Sequence, residues 1–155
     1  MTIEDDISFF ERVPTLSLLG RPALRILAIG AESRFVQGGE VLFYGGDQAD
    51  SAYVIQEGSF ALQPHRAEGE GEEITAVRGV LLGELAMITP TTRLATAVAL
   101  EPSTVIRITR GLFLKMLEGY PDTARRLRDA IAERTDQWAH EMENVGAILQ
   151  GKARK

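Results

Sequence analysis

The sequence predicts a mainly β protein with helices at both ends, and three observations carry that expectation. Between Glu32 and Ile108, short apolar runs of strand length are separated by Gly, Asp, Ser or Pro. Before and after that stretch, apolar residues recur at helical spacing instead. The number of runs and their close succession suit a sandwich, a barrel or a jelly roll.

The N-terminal prefix reads as two helical pieces. Ile7, Phe9, Phe10 and Val13 form an apolar set that Pro14 interrupts. A second helix starts near Arg21–Pro22, because proline suits a first turn, and Gly30 is the expected stop. Eight strand-like runs follow: Ser33–Val36, Val41–Tyr44, Ala52–Gln56, Ser59–Gln63, Ile74–Val77, Val80–Leu82, Ala95–Leu100 and Thr104–Ile108. The connections Gly38-Gly39, Gly45-Gly46-Asp47, Glu57-Gly58 and Glu101-Pro102-Ser103 carry turn chemistry, and Ala67–Glu73 reads as an exposed hairpin tip.

After Thr109, Leu112, Phe113, Met116 and Leu117 predict a helix that Gly119 and Pro121 end. From Pro121 to about Leu149 the chain reads as one long helix. Ile131, Thr135, Trp138, Met142, Val145 and Leu149 mark a heptad seam along it. The expected organisation is a domain over 1–120, a long helix over 121–150 and a basic tail over 151–155.

Composition excludes several classes of chemistry. The chain has no cysteine, which removes disulfides, thiolate metal sites and thiol nucleophiles together. Its only histidines are His65 and His140, both in polar surroundings, so a jelly roll holding a metal through three histidines cannot be built. No Ser–His–Asp set is suggested, and an enzyme is not expected. A net charge of −5 gives no global attraction for a phosphate backbone, so nucleic acid is not an expected partner. No run of about 18 apolar residues marks a membrane span, and the N-terminus is acidic where a signal peptide is basic. A cytoplasmic protein without a membrane partner is the expectation.

The strongest constellation is Gly83-Glu84-Leu85-Ala86, with Arg93-Leu94-Ala95-Thr96 beginning nine residues after the glutamate. A glycine before a short helical turn lets backbone approach a ligand with no Cβ in the way. The turn aims unpaired N–H groups at one spot, and an arginine there adds a permanent charge and a fork matched to phosphate oxygens. A glutamate beside it would repel a simple phosphate. It suits a ligand that carries a hydroxyl close to its phosphate, as a cyclic nucleotide does.

GELAMITPTTRLAT, residues 83–96, resembles the phosphate-binding cassette of the cyclic nucleotide-binding domain family. The resemblance extends to GGEVLFYGGDQADSAYVIQEGSFAL ahead of it, to the helical prefix FFERVPTLSLLGRPALRILA, and to ITRGLFLKMLEGYP, which is similar to the family's B helix. Members include catabolite-activator proteins and regulatory subunits of protein kinase A. The resemblance implies an eight-stranded antiparallel β-roll or jelly roll (a double-stranded β-helix) with N-terminal helices, a short cassette helix and C-terminal B and C helices.

It also implies roles. Arg93 would pair with the exocyclic oxygens of the cyclic phosphate, and Glu84 would accept from the ribose 2′-hydroxyl. The N–H groups of Ala86 and Leu94 would cap the phosphate, and Gly83 would allow close approach. Leu85 and Ala95 complete the expected ligand-binding set, while Gly46 and Gly58 serve turns. Leu94 stands where cGMP-selective members carry a hydroxyl that contacts guanine. Leucine can neither donate nor accept, so cAMP is favoured over cGMP. The implied function is a stand-alone regulatory module without a helix-turn-helix or a further cofactor. It would signal through C-helix movement, a homodimer pairing across Trp138 and Met142, or an effector protein. The alternative is a barrel that keeps the fold as a ligand-free interaction module.

Overall fold

The computed structural model describes residues 2–64, 72–130 and 132–133. Helix α1 (Ile3–Phe10) starts at a capping box, in which Thr2 and Asp5 each satisfy the other's backbone N–H. Helix α2 (Arg21–Gly30) carries Pro22 in its first turn. Arg21 bridges Glu4 of α1 and Glu11 just beyond it, at 3.0 and 2.7 Å.

Ten strands follow: β1 (Glu32–Val36), β2 (Val41–Phe43), β3 (Gln48–Ala49), β4 (Ser51–Glu57), β5 (Ser59–Pro64), β6 (Ile74–Val77), β7 (Leu81–Leu82), β8 (Thr91–Thr92), β9 (Ala95–Ala99) and β10 (Ser103–Thr109). Two four-stranded antiparallel sheets run β1-β10-β4-β7 and β2-β9-β5-β6. All eight predicted runs fall in these two sheets. The sequence reading missed the two-residue ribbon β3-β8, which is too short to show a period. Helix α3 (Arg110–Glu118) then starts at Thr109, whose hydroxyl accepts from the Leu112 N–H. A further helical stretch covers 121–130.

Two apolar clusters hold this arrangement, and β4 separates them. Ala52 and Val54 face the helices, where they meet Phe10, Leu24, Leu27, Ile108, Phe113 and Met116. Tyr53 and Ile55 face the barrel interior with Val36, Leu42, Phe60, Ala97 and Val105. Covered on both sides, β4 reads as a continuous apolar run rather than an alternation. Strand β10 divides in the same way, with Ile106 and Ile108 on the helix side and Val105 on the other.

Gly30 does not end α2 as a left-handed cap, because the chain leaves through Ala31 at φ −78°. A Cβ on Gly30 would lie 2.6 Å from Leu112 Cδ1, so glycine is there to let α2 approach α3. Gly46 and Gly58 do adopt positive φ at turns, at 91° and 95°. The expected heptad seam from Ile131 onward, its Trp138 and Met142, both histidines and most of the hairpin tip lie outside the described residues.

Candidate functional site

Gly83 leaves β7 in the left-handed region, at φ 76° and ψ 39°, and opens a 3-10 turn over Glu84–Met87. The turn hangs on the helix-side core: Met87 is fully buried there, and Leu85 and Ile88 pack against the same cluster. Its carbonyls are clamped from below. Arg110, at the start of α3, donates from Nη1 to Ala86 O, Thr89 O and Ala49 O at 3.0, 3.2 and 3.1 Å. One side chain thus joins the turn, β3 and α3. Replacing Arg110 with methionine strips a charged donor from three carbonyls, a loss of about 2 kcal/mol. At ~2–4 °C per kcal/mol for a chain of this size, a fall of ~4–8 °C in the thermal midpoint is expected by circular dichroism.

Arg93 lies between β8 and β9, pinned by its backbone to the preceding Gly-Gly-Asp turn. Its N–H donates to Asp47 O and its carbonyl accepts from the Gly46 N–H, both at 2.8 Å. The side chain is only 6% exposed. Its guanidinium carbon sits 4.4 Å from the Phe43 ring centre and 5.4 Å from that of Tyr53. Those rings come from opposite sheets and stack at 5.9 Å, so the arginine lies where the two sheets meet. A Cβ on Gly83 would fall 2.5 Å from Arg93 Nη1. Glycine at the turn and arginine in the barrel therefore belong to one site.

One nitrogen of that arginine is left over among the described residues. Nη2 donates to Ser51 Oγ at 3.4 Å, while the buried Nη1 has no hydrogen-bond partner. Ser51 Oγ also accepts from Arg107 Nε at 3.2 Å. A hydroxyl offers two acceptor sites, so Ser51 has none left for Nη1. Asp50 is engaged by Arg107 Nη2, at 3.2 and 3.3 Å from its two oxygens. Among the described residues no carboxylate lies within ion-pair distance of Arg93, which is thus not half of a surface salt bridge with Glu84.

Electrostatics follow this geometry. Burial pushes the Arg93 guanidinium below the ordinary arginine range, with Tyr53 and Asp50 pulling the other way. For Asp50, burial acts upward, but the Ser51 bond and the Arg107 charge outweigh it and hold the carboxyl low. Burial also works against Arg107, whose pKa nevertheless rises because Asp50 faces it. Arginine stays protonated throughout the accessible range, so the site presents a buried cation. An anion with at least one oxygen free for Nη1 is the ligand chemistry it suits.

The remaining residues singled out by sequence are placed as follows. Glu84 is half-buried, and its Oε2 accepts from the Thr15 hydroxyl at 2.6 Å. The Ala86 N–H is taken by Gly83 O at 3.0 Å inside the 3-10 turn. Capping a phosphate from it therefore requires a shared hydrogen bond or a relaxed turn, which corrects the expectation of a free donor. Leu85 faces the core. Leu94 is 62% exposed, so its bulk does not crowd the buried guanidinium. Ala95 opens β9, paired with Pro64. The sequence reading missed Phe43, Ser51, Tyr53, Arg107 and Arg110. Arg107 was detectable, since it interrupts an apolar strand on the same side as Val105; its pairing with Tyr53 comes from the sheet register alone.

The sequence model of the cyclic nucleotide-binding domain matches residues 33–120. The chain belongs to that family. A cyclic nucleotide-binding-like protein from Brucella abortus is 39% identical, over 74% of this chain and 98% of that one, with a TM-score of 0.66. The N-terminal domain of a transcriptional regulator from Streptomyces coelicolor is 26% identical over 86% of this chain and 94% of its own, at a TM-score of 0.73. Among curated proteins, the lysophospholipase NTE1 of Pyricularia oryzae is 29% identical over 101 residues, 64% of this chain. The match spans only 7% of that lysophospholipase. Among the described residues, no helix of this cyclic nucleotide-binding domain is long and apolar enough to cross a membrane.

Proposed function

We propose that this chain is a regulatory module that binds a cyclic nucleotide, cAMP in preference to cGMP, rather than an enzyme. The observation that carries the reading is the Arg93 guanidinium, buried against two stacked aromatic rings with Nη1 unpartnered among the described residues. A cyclic phosphate bears one charge and two exocyclic oxygens, which meets that demand without adding a second unpaired group. Glu84 then takes the ribose 2′-hydroxyl, and Gly83 lets the sugar approach. Leu94 is exposed and offers no hydroxyl to a guanine, which favours adenine.

Occupancy reaches the rest of the chain through α3. Arg110 bonds the cassette turn directly, so a ligand that shifts Glu84–Met87 shifts the helix start with it. Gly119 and Tyr120, between α3 and the helical stretch that Pro121 opens, supply the hinge. From there the signal passes to the C-terminal helix, to a second copy or to an effector protein. A ligand biases such an equilibrium only by its differential affinity for the two states. The match to 7% of a lysophospholipase suits a module that governs a separate catalytic part.

Calorimetric titration with cAMP and with cGMP tests the reading. The expected result is a dissociation constant for cAMP of about 1 μM or tighter, near −8 kcal/mol, with cGMP weaker by at least ~10-fold. No heat with either nucleotide would assign the ligand-free interaction module instead.

A further inference from the structure

Thr15 is the one non-glycine residue with positive φ among the described residues, at φ 82° and ψ −57°. A β-branched residue is among the least suited to that region, and strain of this kind persists only where the surroundings impose it. Here they do. Val13 and Leu16 on either side are fully buried, Pro14 restricts the approach, and Thr15 itself is 2% exposed. The contorted backbone delivers the Thr15 hydroxyl to Glu84 Oε2, 69 positions away, at 2.6 Å. Glycine would suit the backbone better but has no hydroxyl to give.

We infer that Thr15 is a positioning residue: its hydroxyl orients the Glu84 carboxylate for the ribose 2′-hydroxyl of the bound nucleotide. This rests on the proposed role of Glu84 in cyclic-nucleotide binding. A carboxylate has about four acceptor sites, so one bond from Thr15 sets its rotamer without exhausting it. The N-terminal prefix thereby helps to build the pocket, through a residue lying before the matched 33–120 region.

Paired ligands test this, with cAMP and 2′-deoxy-cAMP titrated against wild type, Thr15→Gly and Thr15→Ser. Wild type is expected to prefer cAMP by at least ~10-fold, the discrimination of one hydrogen bond to a charged group. Thr15→Gly removes the hydroxyl together with the positive-φ strain, and the preference should fall below about threefold. Thr15→Ser keeps the hydroxyl and should keep the preference, an outcome that a purely structural role would not produce. Should Thr15→Gly retain the wild-type preference, or Thr15→Ser lose it, the positioning role is overturned while cAMP binding stands. Wild type that binds cAMP without preferring it to the deoxy analogue overturns the role as well. Wild type that binds neither ligand removes the functional reading and the inference together.

Discussion

Replacing Arg93 is expected to weaken cAMP binding at least ~30-fold without destabilising the ligand-free protein. The two halves of this expectation have one cause. In the free protein Arg93 is 6% exposed, its Nη1 lacks a partner among the described residues, and a single long bond to Ser51 supports Nη2. An unsatisfied buried group of this type costs about 1–3 kcal/mol. Contact with the Phe43 and Tyr53 rings returns about 1–2 kcal/mol, leaving the balance near zero or unfavourable. Methionine keeps much of the volume and lies against the same rings without a charge. Arg93→Met should therefore match or exceed the wild-type thermal midpoint.

With ligand the order reverses. Truncating one partner of a buried, hydrogen-bonded charge pair costs about 2–5 kcal/mol, and 2 kcal/mol is already ~30-fold. At cAMP a hundred times its dissociation constant, wild type gains ~2.7 kcal/mol of stability, or ~5–10 °C. A variant ~30-fold weaker gains less than about 1 kcal/mol under the same conditions. Thermal melts with and without cAMP read both effects in one experiment. An Arg93→Met protein that is markedly less stable alone, or that keeps the full cAMP shift, would show that the guanidinium serves packing rather than the ligand.

Gly58→Ala should cause the largest loss of stability among the turn glycines. Gly58 joins β4 to β5 at φ 95°, and a Cβ there would lie 2.0 Å from Ser103 Oγ, 2.6 Å from its Cβ and 2.8 Å from its Cα. The last of these is backbone and cannot swing aside. Ser103 is itself held: 1% exposed, it donates to Glu101 O at 2.7 Å and accepts from the Ser59 N–H at 3.2 Å. The left-handed backbone costs an L-residue about 1–2 kcal/mol, and forced overpacking adds about 1–3 kcal/mol. A total of about 2–5 kcal/mol lowers the midpoint by at least ~4 °C. Gly39 and Gly79 are the controls, since φ is positive at both but a Cβ would meet nothing within 4 Å. Their alanine variants should lose only the ~1–2 kcal/mol backbone share. Equal losses at all three positions would refute the clash with Ser103.

Much of the fold could be read from short windows of sequence, for a physical reason. Strand length, helical spacing, turn glycines and the glycine before the Glu84 turn reflect steric preferences that act within a few residues of the chain. They suffice to place eight strands, three helices and the Gly-Glu-Leu-Ala turn. Gly30 shows where local reading stops, because its reason is Leu112 on another helix.

The environment of Arg93 belongs wholly to that second kind of fact. No window of the chain holds Phe43, Ser51, Tyr53, Gly83 and Arg93 together; the pairing of β10 with β4 and the closure of two sheets bring them to one point. Only there does Asp50 turn to Arg107, Ser51 spend its last acceptor site and Arg93 Nη1 remain buried with no hydrogen-bond partner among the described residues. Thr15 meets Glu84 in the same way, across 69 positions and at the expense of a strained backbone. Residue types and their spacing name an arginine, a glutamate and a glycine as a phosphate site. Which of them is left unpaired depends on contacts between distant strands, because a charge is satisfied or stranded by its neighbours in space and not by those along the chain.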